Sequence, residues 1–251
     1  AGNNSDNVST VDRIDYSSDT STAVVKGPLN GARRGTASTG NASYGWVAGG
    51  RIVPSPSRLT TVDRIDYSND TATAASKGPL AVARQFLSAT GTQSYGYFGG
   101  GNNASDNFDS SVDRIDYSSD TPTAAAKGPL SAARYQMASM SPRANAIPTT
   151  SSSTRSATQT AGTPYGYVGH GLGSPGNPSP AVSTVNRIDY SNDTPTTSTK
   201  GPLSDAMYYS EGTGSRSYGY IMGGNTPVSS HCRRIDYSND TATAANKGPL
   251  A

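Results

Sequence analysis

Apolar side chains recur at every second position in the longest apolar stretches of the chain. In the run 112–117, Ile115 and Tyr117 alternate with Arg114 and Asp116. Successive side chains of a β-strand point to opposite faces, so a period of two is typical of a strand. The pattern predicts a strand here, with isoleucine and tyrosine on its buried face.

The core of this strand, Arg-Ile-Asp-Tyr-Ser, occurs five times, and each copy leads through a Ser-Asp-Thr or Asn-Asp-Thr turn to Lys-Gly-Pro-Leu. The isoleucines of successive copies are 51, 50, 73 and 47 residues apart. A period of this length predicts an architecture of repeated units that share one core. The predicted buried repeat positions are Ile14, Tyr16, Ile65, Tyr67, Ile115, Tyr117, Ile188, Tyr190, Ile235 and Tyr237.

Each complete unit contains four predicted strands. A run of small residues such as 84–90 precedes an aromatic–glycine run such as 95–101, and a variable loop leads to Arg-Ile-Asp-Tyr. Asn and Asp favour the following turn, and the proline of Lys-Gly-Pro-Leu belongs at a sheet edge. Four short strands in about 47–51 residues match one blade of a β-propeller.

The repeat resembles Kelch-type units. An arginine precedes the first strand at Arg33, Arg84 and Arg134, and a double glycine ends the second strand at Gly49-Gly50, Gly99-Gly100 and Gly223-Gly224. The chain departs from that pattern at three places: Thr-Ala replaces the fourth-strand Trp, Gly169-His170-Gly171 replaces one double glycine, and Met207 replaces one arginine.

The resemblance implies an all-β, Kelch-like β-propeller of about five blades. The amino-acid sequence of the repeat also resembles repeat arrays in virion proteins of marine bacteriophages, which implies a fibre-type component. The units span 1–33, 34–84, 85–134, 135–206 with an insertion at 141–163, and 207–251. Only the third-and-fourth-strand half of the first blade is present, so we expect a longer chain, another copy or a partner to complete the ring.

Composition excludes several classes of protein. The net charge is +2 without a basic run, which argues against nucleic acid as a partner. No run of about 18 apolar residues exists, so no membrane span is predicted. The single cysteine, Cys232, rules out an internal disulfide framework.

Residues with catalytic potential are sparse. Glu211 is the only glutamate, and His170 and His231 are the only histidines. Gly171 to Gly176 match G-x-G-x-x-G, but the Asn-Pro-Ser-Pro that follows disfavours the helix that a dinucleotide site requires. We therefore predict no enzyme activity, no metal, no cofactor and no catalytic residue.

The charged residues of the repeat have a structural interpretation. Arg114 and Asp116 share a strand face, and equivalent pairs repeated around a ring predict an ion-pair belt between strands or blades. A charged ligand site is the alternative, but a site does not need five nearly identical copies.

Sequence varies most in the loops between second and third strands, at 51–61, 102–111, 171–184 and 225–232. In a propeller these loops lie on one face, and variable loops on a rigid scaffold are where binding concentrates. The bulky, polar or charged candidates for ligand binding near this face are Trp46, Arg51, Arg58, Asn103, Phe108, His170 and His231.

These features together predict a non-enzymatic recognition or structural module, exposed on a virion fibre or another surface appendage. Aromatic rings among polar loops suit a glycan, and a protein ligand is the alternative. Other copies of the chain or other appendage proteins are the expected partners, and the expected location is extracellular or on a virion surface. Two further hypotheses are an assembly protein that joins copies through open half-blades, and a glycan-active enzyme framed by the propeller.

Overall fold

The alternating pattern produces short antiparallel strands throughout the computed structural model, which describes residues 7–18, 20–54, 57–141, 164–173, 180–225 and 228–250. The predicted insertion at 141–163 lies outside the described residues except for Ser141. The helical element of the described part is one 3-10 turn, Tyr67–Asn69. No helix there is long and apolar enough to cross a membrane.

The strands form four blades and one half-blade, which we number in chain order. The half-blade is β1 (Val11–Arg13) and β2 (Val24–Lys26). Blade 1 is β3 (Ala37–Gly40), β4 (Tyr44–Ala48), β5 (Val62–Asp66) and β6 (Ala75–Lys77). Blade 2 is β8 (Ser88–Gly91), β9 (Tyr95–Gly99), β11 (Val112–Asp116) and β12 (Ala125–Lys127), with the short pair β7 (Arg84–Gln85) and β10 (Asn102–Asn103).

Blade 3 is β13 (Arg134–Tyr135) and β14 (Ala138–Met140), both paired with β15 (Tyr165–Gly173), then β16 (Ala181–Asp189) and β17 (Ser198–Lys200). Blade 4 is β18 (Tyr208–Gly214), β19 (Tyr218–Asn225), β20 (Cys232–Asp236) and β21 (Ala245–Lys247).

The first strands of the four blades surround one axis. Near that axis the amide of Phe86 donates to the carbonyl of Gly35 at 2.7 Å, that of Gln136 to Phe86 at 3.0 Å, and that of Tyr209 to Gln136 at 3.3 Å. These four residues occupy the same position in successive blades. The all-β propeller predicted from the repeat is therefore confirmed, with four complete blades and the expected half-blade.

One aspartate joins each blade to the blade before it. Asp193, in the turn after the third strand of blade 3, is 2.7 Å from Arg114 Nη1, 3.1 Å from Lys127 Nζ and 2.8 Å from Tyr97 Oη, all in blade 2. Its own carbonyl accepts the amide of Gly128 at 2.8 Å. We call this arrangement the seam.

The seam repeats around the ring. Asp70 pairs with Arg13 and Lys26, Asp120 with Arg64, Lys77 and Trp46, and Asp240 with Arg187, Lys200 and Tyr167. The predicted ion-pair belt exists, but its acid is the turn aspartate and not Asp116. Asp116 instead accepts hydrogen bonds from the amide and hydroxyl of Ser118, at 2.9 and 2.7 Å, and so closes the turn.

The repeat tyrosines pack across the same seams. Tyr117 stacks on Trp46 with ring centroids 3.8 Å apart, and Tyr190 stacks on Tyr97 at 5.0 Å. A Cβ on Gly96 would lie 2.7 Å from the Tyr117 hydroxyl, so the glycine within Tyr-Gly-Tyr makes room for this ring.

Burial of the repeat positions follows the completeness of each blade. Ile115, Ile188 and Ile235 are each 4% exposed, as predicted. Ile14 and Tyr16 are 59% and 93% exposed, and Tyr67 is 51% exposed, so the prediction of burial is wrong for these three. The physical reason is that the described part of the half-blade has no first and second strands to cover Ile14 or to stack on Tyr67, and no described blade precedes it to stack on Tyr16.

We expect Asp193→Asn to destabilise the fold by about 3 kcal/mol, because it leaves two seam cations without their carboxylate. The carboxylate is 7% exposed, so water compensates poorly. Urea unfolding followed by tyrosine fluorescence measures the loss. Asp12→Asn is the control, because Asp12 is exposed on β1 and should change stability by about 0.5 kcal/mol or less. Equal losses in both variants would contradict the seam.

A second buried ion pair ties the start of a blade to its third strand. Arg84 Nη2 lies 2.9 Å from Asp113 Oδ2, and neither side chain is exposed. Arg33 and Asp63 form the equivalent pair at 2.9 Å in blade 1.

Blades 3 and 4 vary this pair in different ways. In blade 4, Met207 replaces the arginine and Arg233 replaces the aspartate, and Arg233 binds Asp205 at 2.6 Å. In blade 3, Asn186 replaces the aspartate, and Arg134 donates to the carbonyl of Thr184 at 2.9 Å. Burial lowers the pKa of Arg134 to about 10, and its Nη2 is buried without a hydrogen-bond partner.

We therefore expect Asn186→Asp to stabilise the fold by about 2 kcal/mol, because it gives Arg134 the carboxylate that blades 1 and 2 have. Asp113→Asn makes the reverse change in blade 2 and should destabilise by about 3 kcal/mol. Thermal unfolding at pH 7 compares the two. An unchanged or lowered melting temperature for Asn186→Asp would contradict this account of the pair.

Candidate functional site

Each second strand ends at, or contains, two consecutive residues with positive φ on its way to the loop face. The pairs are Gly49-Gly50 in blade 1, Gly100-Gly101 in blade 2, His170-Gly171 in blade 3 and Gly223-Gly224 in blade 4. The blade 2 pair is thus one residue later than the predicted Gly99-Gly100, because Gly99 still pairs with Val112 in the ladder. Left-handed backbone favours glycine, which has no Cβ to clash, so the double glycine meets a requirement of the backbone conformation at this point.

Four of the predicted ligand-binding residues lie together on the loops of blades 1 and 2. Arg51 and Arg58 form a β-bridge. Arg58 donates to Asn102 at 2.8 Å and pairs with Asp106. Asn103 accepts the amides of Ser105 and Asn107, at 3.0 and 3.2 Å, so it shapes its own turn. Phe108 packs on Tyr135 with ring centroids 4.6 Å apart.

Two of the predicted ligand-binding residues are in the core. Trp46 is 0% exposed, and its Nε1 donates to Asp120 at 3.0 Å, so it belongs to a seam. His170 is also 0% exposed. These placements correct the assignment of both residues to the loop surface. His231 is exposed in the loop of blade 4, with its Nδ1 3.6 Å from Asp205.

His170 is held between blades 3 and 4 by backbone groups. Its Nδ1 donates to the Met207 carbonyl at 3.1 Å, and its Nε2 accepts the amide of Ala138 at 2.9 Å and the hydroxyl of Ser210. These partners require the neutral ring. Burial lowers the pKa of His170 to about 3, so the ring stays neutral near pH 7. The neutral ring accepts the Ser210 hydroxyl, and this buried contact helps to hold blades 3 and 4 together.

The folded pKa of His170 lies below its unfolded value of about 6.5, so stability is full above pH 6.5 and is lost as the pH falls towards 3. Between pH 7 and pH 5, we expect the free energy of unfolding of the wild type to fall by about 2 kcal/mol more than that of His170→Gly. Urea unfolding at both pH values measures this difference. Glycine suits this φ of 51° and cannot protonate. His231→Gln should keep the wild-type pH dependence, and a parallel loss in His170→Gly would contradict the assignment.

Four equivalent residues form a mouth where the axis meets the loop face: Gly35, Phe86, Gln136 and Tyr209. All have positive φ, of 70°, 52°, 57° and 56° respectively. Such a φ costs about 1–3 kcal/mol for a residue other than glycine. The Phe86 ring contacts those of Tyr135 and Tyr209, with centroids 6.3 and 6.4 Å apart, so the mouth is largely aromatic.

A cavity of about 770 Å³ opens below the mouth. The first strands of all four blades line it, and Arg34 and the only glutamate, Glu211, are its charged residues. This volume can hold a small ligand or one end of a larger one.

Arginines surround one side of the mouth. Arg34 and Arg51 form a β-bridge, and Arg51 bridges Arg58 in turn. Burial lowers the pKa of Arg51, and so do the positive charges of Arg34 and Arg58, which the Asp106 carboxylate offsets in part. The Arg51 Nε is buried without a hydrogen-bond partner. An anion placed here would relieve this repulsion, with the Tyr209 phenol close by.

Sequence reasoning missed the mouth. Phe86, Gln136 and Tyr209 lie in the predicted small-residue first strands, whereas the sequence predicts ligand binding at the variable loops. The signal was present, because this position varies as Gly, Phe, Gln and Tyr between units whose flanking motifs repeat closely.

Within the described residues, no group of three or more His, Cys, Asp or Glu side chains is arranged to hold a metal ion. No protein-family model matches the chain, and a search of curated proteins finds no match.

Proposed function

We propose that this propeller is a non-enzymatic recognition module that binds an acidic glycan at the mouth of its axis. The observation that carries the proposal is the position of Arg51, crowded by two other arginines beside a half-exposed Tyr209. A guanidinium binds a carboxylate through two parallel hydrogen bonds, and aromatic rings stack on sugar faces. A uronic or sialic acid end-group offers both features.

Backbone strain at the mouth supports a ligand site. Gly35 adopts the left-handed conformation without penalty, but Phe86, Gln136 and Tyr209 adopt it at a cost. Strain of this kind persists where surrounding structure enforces it, and it concentrates at ligand sites. The chain therefore maintains bulky side chains at the axis where glycine would be more stable.

The setting we propose is an exposed fibre or surface appendage. The resemblance of the repeat to Kelch units and to virion repeats of marine phages supports it. The polar loops and the rigid, repeated scaffold suit a structural part that also carries a binding face.

The test is binding of the whole chain to an array that pairs carboxylated glycans with their neutral counterparts. We expect binding to the carboxylated member of a pair, and about 10- to 100-fold weaker binding by Arg51→Gln, the loss of one charge-assisted contact. Arg51→Gln should keep or slightly raise the melting temperature, because it removes like-charge repulsion.

Arg216→Gln is the matched control, because Arg216 is exposed in the turn between β18 and β19, at the opposite face. It should bind as wild type does. The proposal fails if carboxylated and neutral glycans bind equally, if no glycan binds, or if Arg51→Gln retains full affinity. Capture of proteins only, with no glycan bound, would favour the protein-ligand alternative.

A further inference from the structure

A continuous row of aromatic rings crosses the loop face of the propeller. The Tyr209 ring contacts that of Phe86 with centroids 6.4 Å apart, Phe86 contacts Tyr135 at 6.3 Å, and Tyr135 contacts Phe108 at 4.6 Å. We call these four rings the aromatic track. The track begins at the mouth and ends in the loop between β10 and β11.

The track extends beyond the cavity. Tyr209 and Phe86 line the cavity of about 770 Å³, whereas Tyr135 and Phe108 are not among its lining residues. Phe86, Tyr135 and Phe108 are half-buried, so none of them belongs to the buried core. A single sugar at the mouth therefore leaves the outer two rings of the track unused.

The outer two rings occupy positions that carry arginine in blade 1. Tyr135 has in blade 3 the position of Arg34 in blade 1. Phe108 forms in blade 2 the β-bridge that Arg58 forms in blade 1. The propeller thus presents cations on one side of the mouth and aromatic rings on the other, at equivalent places of the repeat.

The loop that carries Phe108 is closed by other groups. The amide of Asn103 donates to the carbonyl of Asn107 at 2.9 Å, and that of Asp109 to the carbonyl of Gly101 at 2.8 Å. These bonds define the path of the loop, so the turn does not require a large ring at position 108. Apolar surface surrounded by polar residues is typical of a ligand-binding groove.

The ring planes turn along the track. The interplanar angle is 85° between Tyr209 and Phe86, 48° between Phe86 and Tyr135, and 39° between Tyr135 and Phe108. A rigid planar ligand cannot stack on rings with such different orientations. A chain of sugars can, because each sugar turns about its glycosidic bonds, and aromatic rings stack on sugar faces.

We propose that the outer part of the aromatic track holds the second and third sugars of an acid-capped glycan chain. The acidic end-group binds Arg51 at the mouth, beside Tyr209 and Phe86, and the next two sugars stack on Tyr135 and Phe108. This inference rests on the proposed acidic-glycan site and extends its ligand from one end-group to a chain of three sugars.

The test is titration calorimetry of the 251-residue chain with two series of probes. N-acetylneuraminic acid and glucuronic acid are each used alone and as the cap of a neutral chain of one to four hexoses. We expect affinity to rise about two- to tenfold with each of the first two hexoses, the effect of one stacking contact. Further hexoses should add nothing, because the track ends at Phe108.

Variants of Phe108 identify the ring that acts. Phe108→Ala should remove the gain from the second hexose and keep the affinity for the acid alone. Phe108→Leu should have the same effect on binding but keep the melting temperature, because leucine retains apolar packing on Tyr135.

Tyr67→Ala is the matched control. Tyr67 is 51% exposed, and its amide donates to the Ser43 carbonyl at 3.0 Å in the turn between β3 and β4, at the opposite face. This variant should bind every probe as wild type does.

Two results would overturn the inference while the proposed function stands. One is an affinity that does not change with chain length, and the other is a Phe108→Leu variant that gains from the second hexose as wild type does. Failure of both acids to bind at any length would overturn the proposed function and the inference together. Arg51→Gln separates the two, because it should weaken every member of a series by the same factor and keep the gain with length.

Discussion

The whole ring depends on one carboxylate at each seam. The two carboxylate oxygens of Asp193 bind an arginine, a lysine and a tyrosine hydroxyl of the preceding blade. The backbone carbonyl of Asp193 accepts the amide of Gly128 beside them. Burial would raise the pKa of Asp193, but the hydrogen bonds and the positive charge hold it below its usual range. Stacked rings such as those of Tyr117 and Trp46 pack across the seams, but stacking constrains the angle between two blades less than a charged hydrogen-bond network does. A directional, partly buried network defines that angle, and register is the best-attested use of such groups.

Departures from the repeat show which parts of this network are coupled. In blade 4 the arginine and the acid of the inner pair are replaced together, and Asp205 supplies the charge that Arg233 needs. Blade 3 changes one partner only, and buried Arg134 keeps an unpaired nitrogen. Met140 takes the place of Thr90, and the Tyr237 hydroxyl that would bind a threonine there has no partner. These local departures are tolerated because the seams continue to join neighbouring blades.

Much of the fold follows from the sequence because its signals are local or periodic. Alternation identifies the strands, and repetition identifies the blades. The seam is harder to foresee, because Arg114 and Asp193 are 79 residues apart and the Asp-Thr motif is fully explained as a turn. Trp46 and His170 were assigned to the surface since bulky polar residues near variable loops suggest binding, yet each has buried partners on another strand or blade. Sequence pattern gives spacing along the chain, whereas these contacts depend on the angle between blades.

Rigid seams also explain how the mouth can remain strained. Phe86, Gln136 and Tyr209 keep a positive φ because each amide is bonded to the carbonyl of the preceding blade, whose position the seams determine. A flexible ring would relax these residues and lose the arrangement of rings and arginines at the axis. Near-identical turns and Lys-Gly-Pro-Leu segments are therefore what permits variation at the mouth. In the proposed function, the most repeated residues of the chain act on recognition indirectly, by keeping a costly backbone conformation in place around the axis.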